Sequence, residues 1–346
     1  PERPVLAHGR VRFVGETVAM VVAESAAQAR DAVADIVVEY RDLPVVVDAE
    51  EALKPQAPLL HDSVPGNLTL QWDTGDAGAV AQAFKQAAHV TKLKVVSPRV
   101  VPSPMEPRAA LIGYEAATGI YDVYTNSQGI GMLRWQISTL TGVPEDKLRL
   151  HMHDVGGSFG QRSAVYPEHG AMMIAAKKLG RPIKWVATRS ECFLSDSHGR
   201  GLVIAGELAM DRDGKFLAAR YDFVVDMGAY LTATGPASHV RNPAICTTGV
   251  YKIPALYANF RVALTNTAPV AAYRGAGRPD IAYVIERLVD QAAYELKIDR
   301  AELRRRNFIP LDAFPYKTPT LGTYEASDFN GCMTKALQAA DCSNSP

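Results

Sequence analysis

Residues 148–160, with the sequence LRLHMHDVGGSFG, decide the fold, because a strand pattern runs directly into a glycine-rich loop. Apolar side chains alternate with polar ones in residues 148–153, which predicts a β-strand. Residues 166–179 have helical character and end at Gly180, a typical residue just past a helix C-terminus. A strand, a glycine loop and a helix in this order indicate a fold of mixed helix and sheet, with the loop as a candidate ligand site.

The first glycine loop, residues 156–160, allows backbone N–H groups to approach an anion or a flat polar ligand without interference from a Cβ atom. It does not have the GxGxxG pattern, and no GK[ST] follows it, so a nucleotide phosphate cradle is poorly supported. A plain turn explains the glycines equally well at this point.

A second glycine turn, residues 273–279 (YRGAGRP), opens a long helix with apolar side chains at i, i+3 and i+4. Arg274 and Arg278 lie close to the N-terminus of that helix, where the dipole and free amides favour an anion. A surface turn with solvated arginines is an equal alternative. Gln128 follows a strand predicted at residues 121–125, and by itself it is only a polar capping residue.

Composition excludes several classes of protein. The chain has 346 residues, enough for two or three compact domains, and its 37 Lys and Arg balance its 37 Asp and Glu, so no basic surface favours nucleic acid. No apolar run approaches the length of about 20 residues that a transmembrane helix needs. The dispersed histidines offer no zinc-like cluster and no GxSxG elbow is present, so direct metal ligands and a serine nucleophile are disfavoured.

The cysteines are informative through their spacing. No CxxC pair occurs, so this chain cannot hold a zinc ribbon or an iron–sulfur cluster by itself, and a reducing compartment is favoured. The four cysteines lie far apart in the sequence, at Cys192, Cys246, Cys332 and Cys342.

We predict an α+β fold in three parts: a small α/β unit in residues 1–54, a proline-bearing linker in residues 55–75 and a larger domain in residues 76–346. The first unit is expected to contain a helix at residues 25–34 and strands at residues 11–14, 17–22 and 35–40. The chain starts at Pro1 with neither a signal peptide nor a methionine, so we expect that its natural start lies upstream.

The order of the motifs, more than any single one, is specific. Taken together they resemble the molybdenum-cofactor-binding subunit of the xanthine dehydrogenase/aldehyde oxidase family, the molybdenum hydroxylases. The resemblance implies a partial α/β-hammerhead domain followed by the first molybdenum-cofactor-binding domain. The segments that carry it are residues 4–7 with 11–16, 154–160 (DVGGSFG), 249–254 (GVYKIP), 272–279 (AYRGAGRP) and 302–309 (ELRRRNFI).

The resemblance implies a role for individual residues. Gln128 matches the glutamine that hydrogen-bonds an oxygen ligand of the molybdenum, and Arg274 matches the arginine of the second cofactor loop. An anionic cofactor requires amide and guanidinium donors at fixed points, which agrees with these residue types. The residues that match the first cofactor loop are Gly156, Gly157, Phe159 and Gly160.

Positions at which this chain departs from the family narrow the range of expected substrates. Carbon monoxide dehydrogenases have a cysteine where this chain has Gly275, so copper–molybdenum chemistry on CO is disfavoured. Xanthine-specific members have two charged residues where this chain has Ser163 and, near the second position, Asn242 beside Arg241, so xanthine is disfavoured. The residues implied to line the substrate cavity are Phe159, Ser163, Asn242 and Ala276.

The implied activity is oxidation of an aldehyde or N-heterocycle by insertion of water-derived oxygen. The cofactor would be molybdopterin, as the cytosine dinucleotide usual in bacteria. The family's general-base glutamate would lie beyond residue 346, in a second cofactor-binding domain or subunit, so we expect either a split subunit or part of a longer one. A [2Fe-2S] subunit and an FAD subunit or other acceptor would be partners, in the bacterial cytoplasm or, alternatively, the periplasm.

Two other interpretations stay open at this stage. A cofactor carrier or assembly protein of the same fold would keep the loops without turnover. A soluble α+β domain that binds another anionic nucleotide would require the order of the motifs to be a coincidence.

Overall fold

The computed structural model describes residues 3–341; Cys342 and the remainder of the predicted larger domain lie outside the described residues. The strands are β1 (Leu68–Gly75), β2 (His89–Ser97), β3 (Ala109–Glu115), β4 (Ile120–Thr125), β5 (Leu148–His151), β6 (Ile183–Val186), β7 (Leu202–Met210), β8 (Phe216–Asp226), β9 (Ala255–Ala263), β10 (Tyr316–Lys317) and β11 (Thr323–Tyr324). The α-helices are α1 (Ala26–Ala34), α2 (Ala49–Ala52), α3 (Ala77–Gln86), α4 (Ile130–Thr141), α5 (Pro167–Leu179), α6 (Arg189–Ser195), α7 (Asn242–Ile245), α8 (Arg278–Leu296), α9 (Arg300–Asn307) and α10 (Phe329–Ala339).

The predicted N-terminal α/β unit is present only in part. The expected helix forms as α1, whose N-cap Ser25 accepts a hydrogen bond from the Gln28 N–H. The segments predicted as strands at residues 11–14, 17–22 and 35–40 form no strand within residues 3–341, so those three predictions are wrong for this chain as described. A β-strand depends on a neighbour for its hydrogen bonds, whereas a capped helix satisfies its own.

The main sheet has five strands in the order β1-β9-β8-β7-β2. β8 and β9 are parallel, and the other neighbours are antiparallel. The linker predicted at residues 55–75 is therefore corrected in its second half, because residues 68–75 form β1 and pair with β9 along its length. The segment before β1 remains a series of turns and short helical pieces, as its prolines predict.

Helix α8 covers one face of the main sheet. Its apolar stripe, which includes Val284 and Leu288, is fully buried against aromatic and aliphatic side chains of the strands, among them Phe223 and Phe260. Helix α3 packs on the opposite face, where Val80 is buried against alanines of β7 and β8. The largest hydrophobic cluster of the described residues thus lies between the main sheet and α8, and a smaller one lies under α3.

The second sheet has four strands in the order β5-β4-β3-β6, with α4 and α5 packed on it. Ile112, Val123, Ile137 and Met172 form its core. β4 and β5 are parallel, so their C-terminal ends lie at the same edge of the sheet. Gln128 follows β4 and the first glycine loop follows β5, and the topology thus brings these two features together.

No helix within residues 3–341 is both long enough and apolar enough to cross a membrane.

Candidate functional site

The Gln128 amide is fixed by the first glycine loop. Its Oε1 accepts hydrogen bonds from the Gly160 N–H at 2.8 Å and from the Ser158 hydroxyl at 2.5 Å. Its backbone N–H donates to the Arg162 carbonyl at 3.1 Å. The side chain is exposed, and its Nε2 group has no partner among the described residues, so both Nε2 hydrogens are available to a ligand.

The start of the first glycine loop lies against residues 104–106. Glu106 and Gly156 form two hydrogen bonds: the Gly156 N–H donates to Glu106 Oε2 at 2.8 Å, and the Glu106 N–H donates to the Gly156 carbonyl at 3.3 Å. A Cβ atom on Gly156 would lie 2.5 Å from the Glu106 Cβ. Only glycine permits this close approach, so the residue type follows from the packing.

The two glycine segments are joined to each other. The Arg274 N–H donates to the Phe159 carbonyl at 2.9 Å. Gly160 has a φ of +100°, and a Cβ there would lie 2.5 Å from the Ala272 carbonyl oxygen. The structure thus brings together Gln128, the first glycine loop and the second glycine turn, which the sequence places far apart.

Arg162 connects this arrangement to the core. Its side chain is only 2% exposed; Nη2 donates to the Glu106 carbonyl, and Nη1 lies 3.9 Å from Glu106 Oε2. Its backbone N–H donates to the Ser158 hydroxyl at 3.2 Å. Burial lowers the pKa of Arg162, and the Glu106 carboxylate opposes that shift. One buried residue therefore contacts the Gln128 backbone, the loop and Glu106 at once.

Phe159 and Arg274 are the exposed side chains of the joined segments. Phe159 is 43% exposed and has a φ of +55°, a conformation that is costly for an aromatic residue. The Arg274 guanidinium is exposed and has no hydrogen bond or ion pair among the described residues. The site thus offers an apolar ring, an amide donor and an unpaired cation on one surface.

Three predicted cavity residues have polar contacts within the loops themselves. The Ser163 hydroxyl donates to the Gly160 carbonyl at 2.5 Å, and Asn242 Nδ2 donates to the Ala276 carbonyl at 3.0 Å. Asn242 Oδ1 accepts from Arg278 at 3.4 Å, and Ala276 has a φ of +49°. These contacts support the two loops, and the predicted contact of the three residues with substrate stays a prediction.

Sequence reasoning missed Glu106 and Arg162. Residues 103–107 stand out in the sequence only as a proline-bearing bend, and a charged residue two positions after a glycine loop is an ordinary feature. Their roles depend on a pairing across 56 residues, which no local pattern reports. The local signal that could have drawn attention to Glu106 is its position as a lone acidic residue in a bend that contains two prolines.

Comparison with known proteins matches the part of the chain that contains Gln128 and the two glycine segments. The family model of the molybdopterin cofactor-binding domain matches residues 60–308. The model of the aldehyde oxidase and xanthine dehydrogenase a/b hammerhead domain matches residues 1–44. The chain belongs to the molybdenum hydroxylase family of xanthine dehydrogenase and aldehyde oxidase. The α+β fold predicted from the sequence, a partial hammerhead followed by the first cofactor-binding domain, is thereby confirmed.

Individual molybdenum hydroxylases are similar over nearly the full chain. The carbon monoxide dehydrogenase large chain of Hydrogenophaga pseudoflava is 35% identical over 97% of this chain and 44% of its own length. Subunit gamma of the 6-hydroxypseudooxynicotine dehydrogenase complex of Paenarthrobacter nicotinovorans is 33% identical over 98% of this chain and 43% of its own length. The crystal structure of quinoline 2-oxidoreductase from Pseudomonas putida 86 is similar with a TM-score of 0.92 and 32% identity, covering 99% of this chain and 43% of that one. This chain therefore spans less than half the length of the molybdenum hydroxylase chains that it matches.

Proposed function

We propose that this chain forms one side of a molybdopterin site in an enzyme that oxidises an aldehyde or an N-heterocycle with oxygen derived from water. The observation that carries the proposal is the junction of the two glycine segments, where the Arg274 N–H donates to the Phe159 carbonyl beside the bound Gln128 amide. That junction brings together residues that carry an amide donor, an exposed aromatic ring and an unpaired guanidinium.

The donors on this surface fit molybdopterin. Gln128 has a free Nε2 donor because its Oε1 is bound to the loop, and Arg274 has an unpaired guanidinium. The dithiolene, phosphate and metal-bound oxygen groups of the cofactor are anionic or hydrogen-bond acceptors, and such groups bind amide and guanidinium donors strongly. The two glycine segments also bring exposed backbone close to a flat ligand, which Cβ atoms would prevent.

Gln128, Arg274 and Phe159 each have a distinct role in the proposed function. Gln128 orients an acceptor atom at the reacting centre, and the loop keeps its amide from rotating. Arg274 binds the anionic end of the cofactor, for which we propose the cytosine dinucleotide form. Phe159 lines the substrate cavity and excludes water from it. When bound, the molybdenum centre supplies the two-electron oxidation chemistry.

The remaining groups would come from outside residues 1–346. Glu168 and Asp280 lie near the glycine segments, but Glu168 is paired with Arg108 at 2.8 Å and Asp280 with Arg200 at 3.1 Å, so neither is a free base. We propose a general-base glutamate on a second cofactor-binding domain or subunit. A [2Fe-2S] subunit and an FAD subunit or another acceptor would take the electrons, in the bacterial cytoplasm.

The relatives support an N-heterocycle over carbon monoxide as the substrate. One of them is named as part of a 6-hydroxypseudooxynicotine dehydrogenase complex and another as a quinoline 2-oxidoreductase. A carbon monoxide dehydrogenase is also similar, but this chain has Gly275 at the position where the resemblance requires a cysteine for copper. We therefore propose that this chain does not act on CO.

Metal analysis of the native complex tests the proposal. We expect about one molybdenum atom and one molybdopterin per copy of this chain, together with turnover of an aldehyde or an N-heterocycle with an artificial electron acceptor. Stoichiometric zinc or iron on this chain without molybdopterin would overturn the proposed function. Bound cofactor without any turnover would favour the carrier interpretation.

A further inference from the structure

Arg200 contacts the backbone of the second glycine turn, and no role has been assigned to it so far. Its side chain is 15% exposed, and its Nη2 donates to the Arg274 carbonyl at 3.0 Å. Its Nη1 lies 3.1 Å from Asp280 Oδ2, a buried carboxylate in the first turn of α8. One guanidinium thus connects the turn to the helix that follows it.

The Tyr273 ring completes the contact. The Arg200 guanidinium carbon lies 5.1 Å from the centre of that ring, within the range of a cation–π interaction. A Cβ atom on Gly199 would overlap the Tyr273 Cβ, so the glycine before Arg200 is required for this approach. Asp280 accepts a further hydrogen bond from the Ser97 hydroxyl of β2.

Both peptide groups that flank the Arg274 Cα are bonded. The N–H on one side donates to the Phe159 carbonyl, and the carbonyl on the other side accepts from Arg200. Fixing both peptide planes fixes the direction of the Cα–Cβ bond between them. Arg200 supplies one of these two constraints, and the constraint is a charge-assisted hydrogen bond, which is stronger than a neutral one.

The backbone at Arg200 is itself unusual. Its φ is +63°, in the left-handed region that residues other than glycine and asparagine rarely adopt. Two strand-like hydrogen bonds beside it, from the His198 N–H to the Pro269 carbonyl and from the Ala271 N–H to the His198 carbonyl, hold the segment in place. The chain thus keeps an arginine where glycine would be less strained, which indicates that the side chain matters.

We propose that Arg200 is a positioning residue that acts through Arg274. By binding the Arg274 carbonyl and the Asp280 carboxylate together, it sets the direction in which the Arg274 guanidinium extends toward the anionic end of molybdopterin. This inference rests on the proposed function. Arg200 touches neither cofactor nor substrate in this assignment.

The test measures how fast molybdenum is lost from the purified native complex during dialysis. Arg200→Gly removes the guanidinium and suits the positive φ, so its effect reports on the side chain and not on the backbone. We expect molybdenum to be lost about tenfold faster, which corresponds to about 1.4 kcal/mol. In an Arg274→Met background, Arg200→Gly should change the rate of molybdenum loss less than twofold, because the guanidinium that Arg200 positions is then absent.

Arg304 provides a matched control. It is 17% exposed, pairs with Glu286 at 2.7 Å and Asp290 at 2.9 Å, and lies in α9. Arg304→Ala should lower the melting temperature and leave the rate of molybdenum loss unchanged. A loss of molybdenum through general destabilisation would instead appear in both variants.

Several outcomes would overturn the inference. Molybdenum loss at the wild-type rate from Arg200→Gly is one, and a full tenfold effect that persists in the Arg274→Met background is another. If the glycine variant does not fold, Arg200→Lys serves the same test, since a single ammonium cannot bind both partners in the same geometry and should give a several-fold faster loss. A wild-type complex without molybdenum would overturn the proposed function itself, before any variant is compared.

Discussion

Gln128 has one amide group with two different surroundings. Its oxygen is bound by Ser158 and Gly160, whereas its nitrogen has no partner among the described residues. If the two ends of the amide exchanged positions, the Nε2 donor would face the Gly160 N–H, which is also a donor, and that hydrogen bond would be lost. The glycine loop therefore decides that this residue presents a donor to the ligand.

Replacing only the donor tests this role. Gln128→Glu keeps an oxygen for the Gly160 N–H and removes the Nε2 donor, and we expect turnover per bound molybdenum to fall by about 10²–10³, the usual effect of losing one preorganised donor. Gln128→Ala should slow turnover similarly while the complex still assembles. Gln82→Glu, on the exposed face of α3, is the control. Wild-type turnover from Gln128→Ala at full molybdenum occupancy would contradict the role assigned to Gln128.

His198 should make stability depend on pH. Burial, together with the Arg99 guanidinium, lowers the pKa of His198 to about 4, and its Nδ1 lies 3.2 Å from Arg99 Nη1. An unfolded histidine takes up its proton near pH 6.5, so the unfolded chain binds more protons between pH 6.5 and 4. The stabilisation is complete above pH 6.5 and is lost as the pH falls toward 4.

Urea unfolding at pH 7, 5.5 and 4 measures this effect. The contribution of His198 over that interval is about 2–3 kcal/mol, and His198→Gln should remove that part of the pH dependence. Burial also lowers the pKa of His61, His169 and His239, so some dependence on pH will remain. The control is His153→Gln, on an exposed side chain. An unchanged slope in the His198 variant would show that this histidine does not contribute.

At the scale of elements, the site depends on the contact between two loops that follow different sheets. Gly160 has a φ of +100° and approaches the Ala272 carbonyl, so Gly160→Ala introduces both backbone strain and a clash with backbone. We expect a loss of stability of roughly 1–3 kcal/mol and a loss of bound molybdenum. Urea unfolding and metal analysis of the same preparation measure the two effects.

Gly113 of β3 gives the matched comparison for that substitution. It has open space at the Cβ position and no positive φ, so Gly113→Ala should be neutral or stabilising by up to about 1 kcal/mol. Equal effects of the two substitutions would show that the contact between the loops does not depend on glycine at position 160.

The sequence predicts best those elements whose backbone hydrogen bonds lie within the element itself, as in a helix. Helices α1 and α5 occur within one residue of their predicted ranges, and α8 begins at the second glycine turn, as its apolar periodicity predicts. β3 was missed because no turn signal separates it from the preceding bend. The π-helix at Ala237–Arg241 has no signal in the sequence at all.

The site was predictable in its parts and not in its assembly. Gln128 and the two glycine segments follow from local pattern and from the order of the motifs. Glu106, Arg162 and Arg200 act across 50 or more residues in sequence, through side-chain bonds to backbone groups. Such pairings depend on the position of the two sheets relative to each other, and a local sequence pattern carries no information about that position.

At the scale of the whole molecule, the candidate site is an open surface. Phe159 is 43% exposed, and Met105, beside the Glu106 that binds the loop, is 89% exposed. An apolar surface next to the proposed anion-binding groups is suited to an obligate interface, which typically buries about 2,000 Å² or more. A reactive centre on such a surface also requires a second side to exclude water.

The chain alone should therefore not sustain turnover. Residues 1–346, expressed alone and reconstituted with molybdenum cofactor, are assayed with aldehydes and N-heterocycles and an artificial electron acceptor. The native complex, measured in parallel, serves as the positive control. Sustained turnover by the isolated monomer would mean that the general base lies within these residues.

The pairing of β1 with β9 has a consequence for how the protein is made. β1 ends at Gly75, but β9 begins only at Ala255. At a synthesis rate of about 5–20 residues per second, β1 waits about 10–40 s on the ribosome before its neighbour exists. β2 likewise has no partner until β7 has been synthesised. Each nascent chain thus carries two strands without their neighbours while residues 98–201 are made, and the main sheet is complete only once β9 has been made.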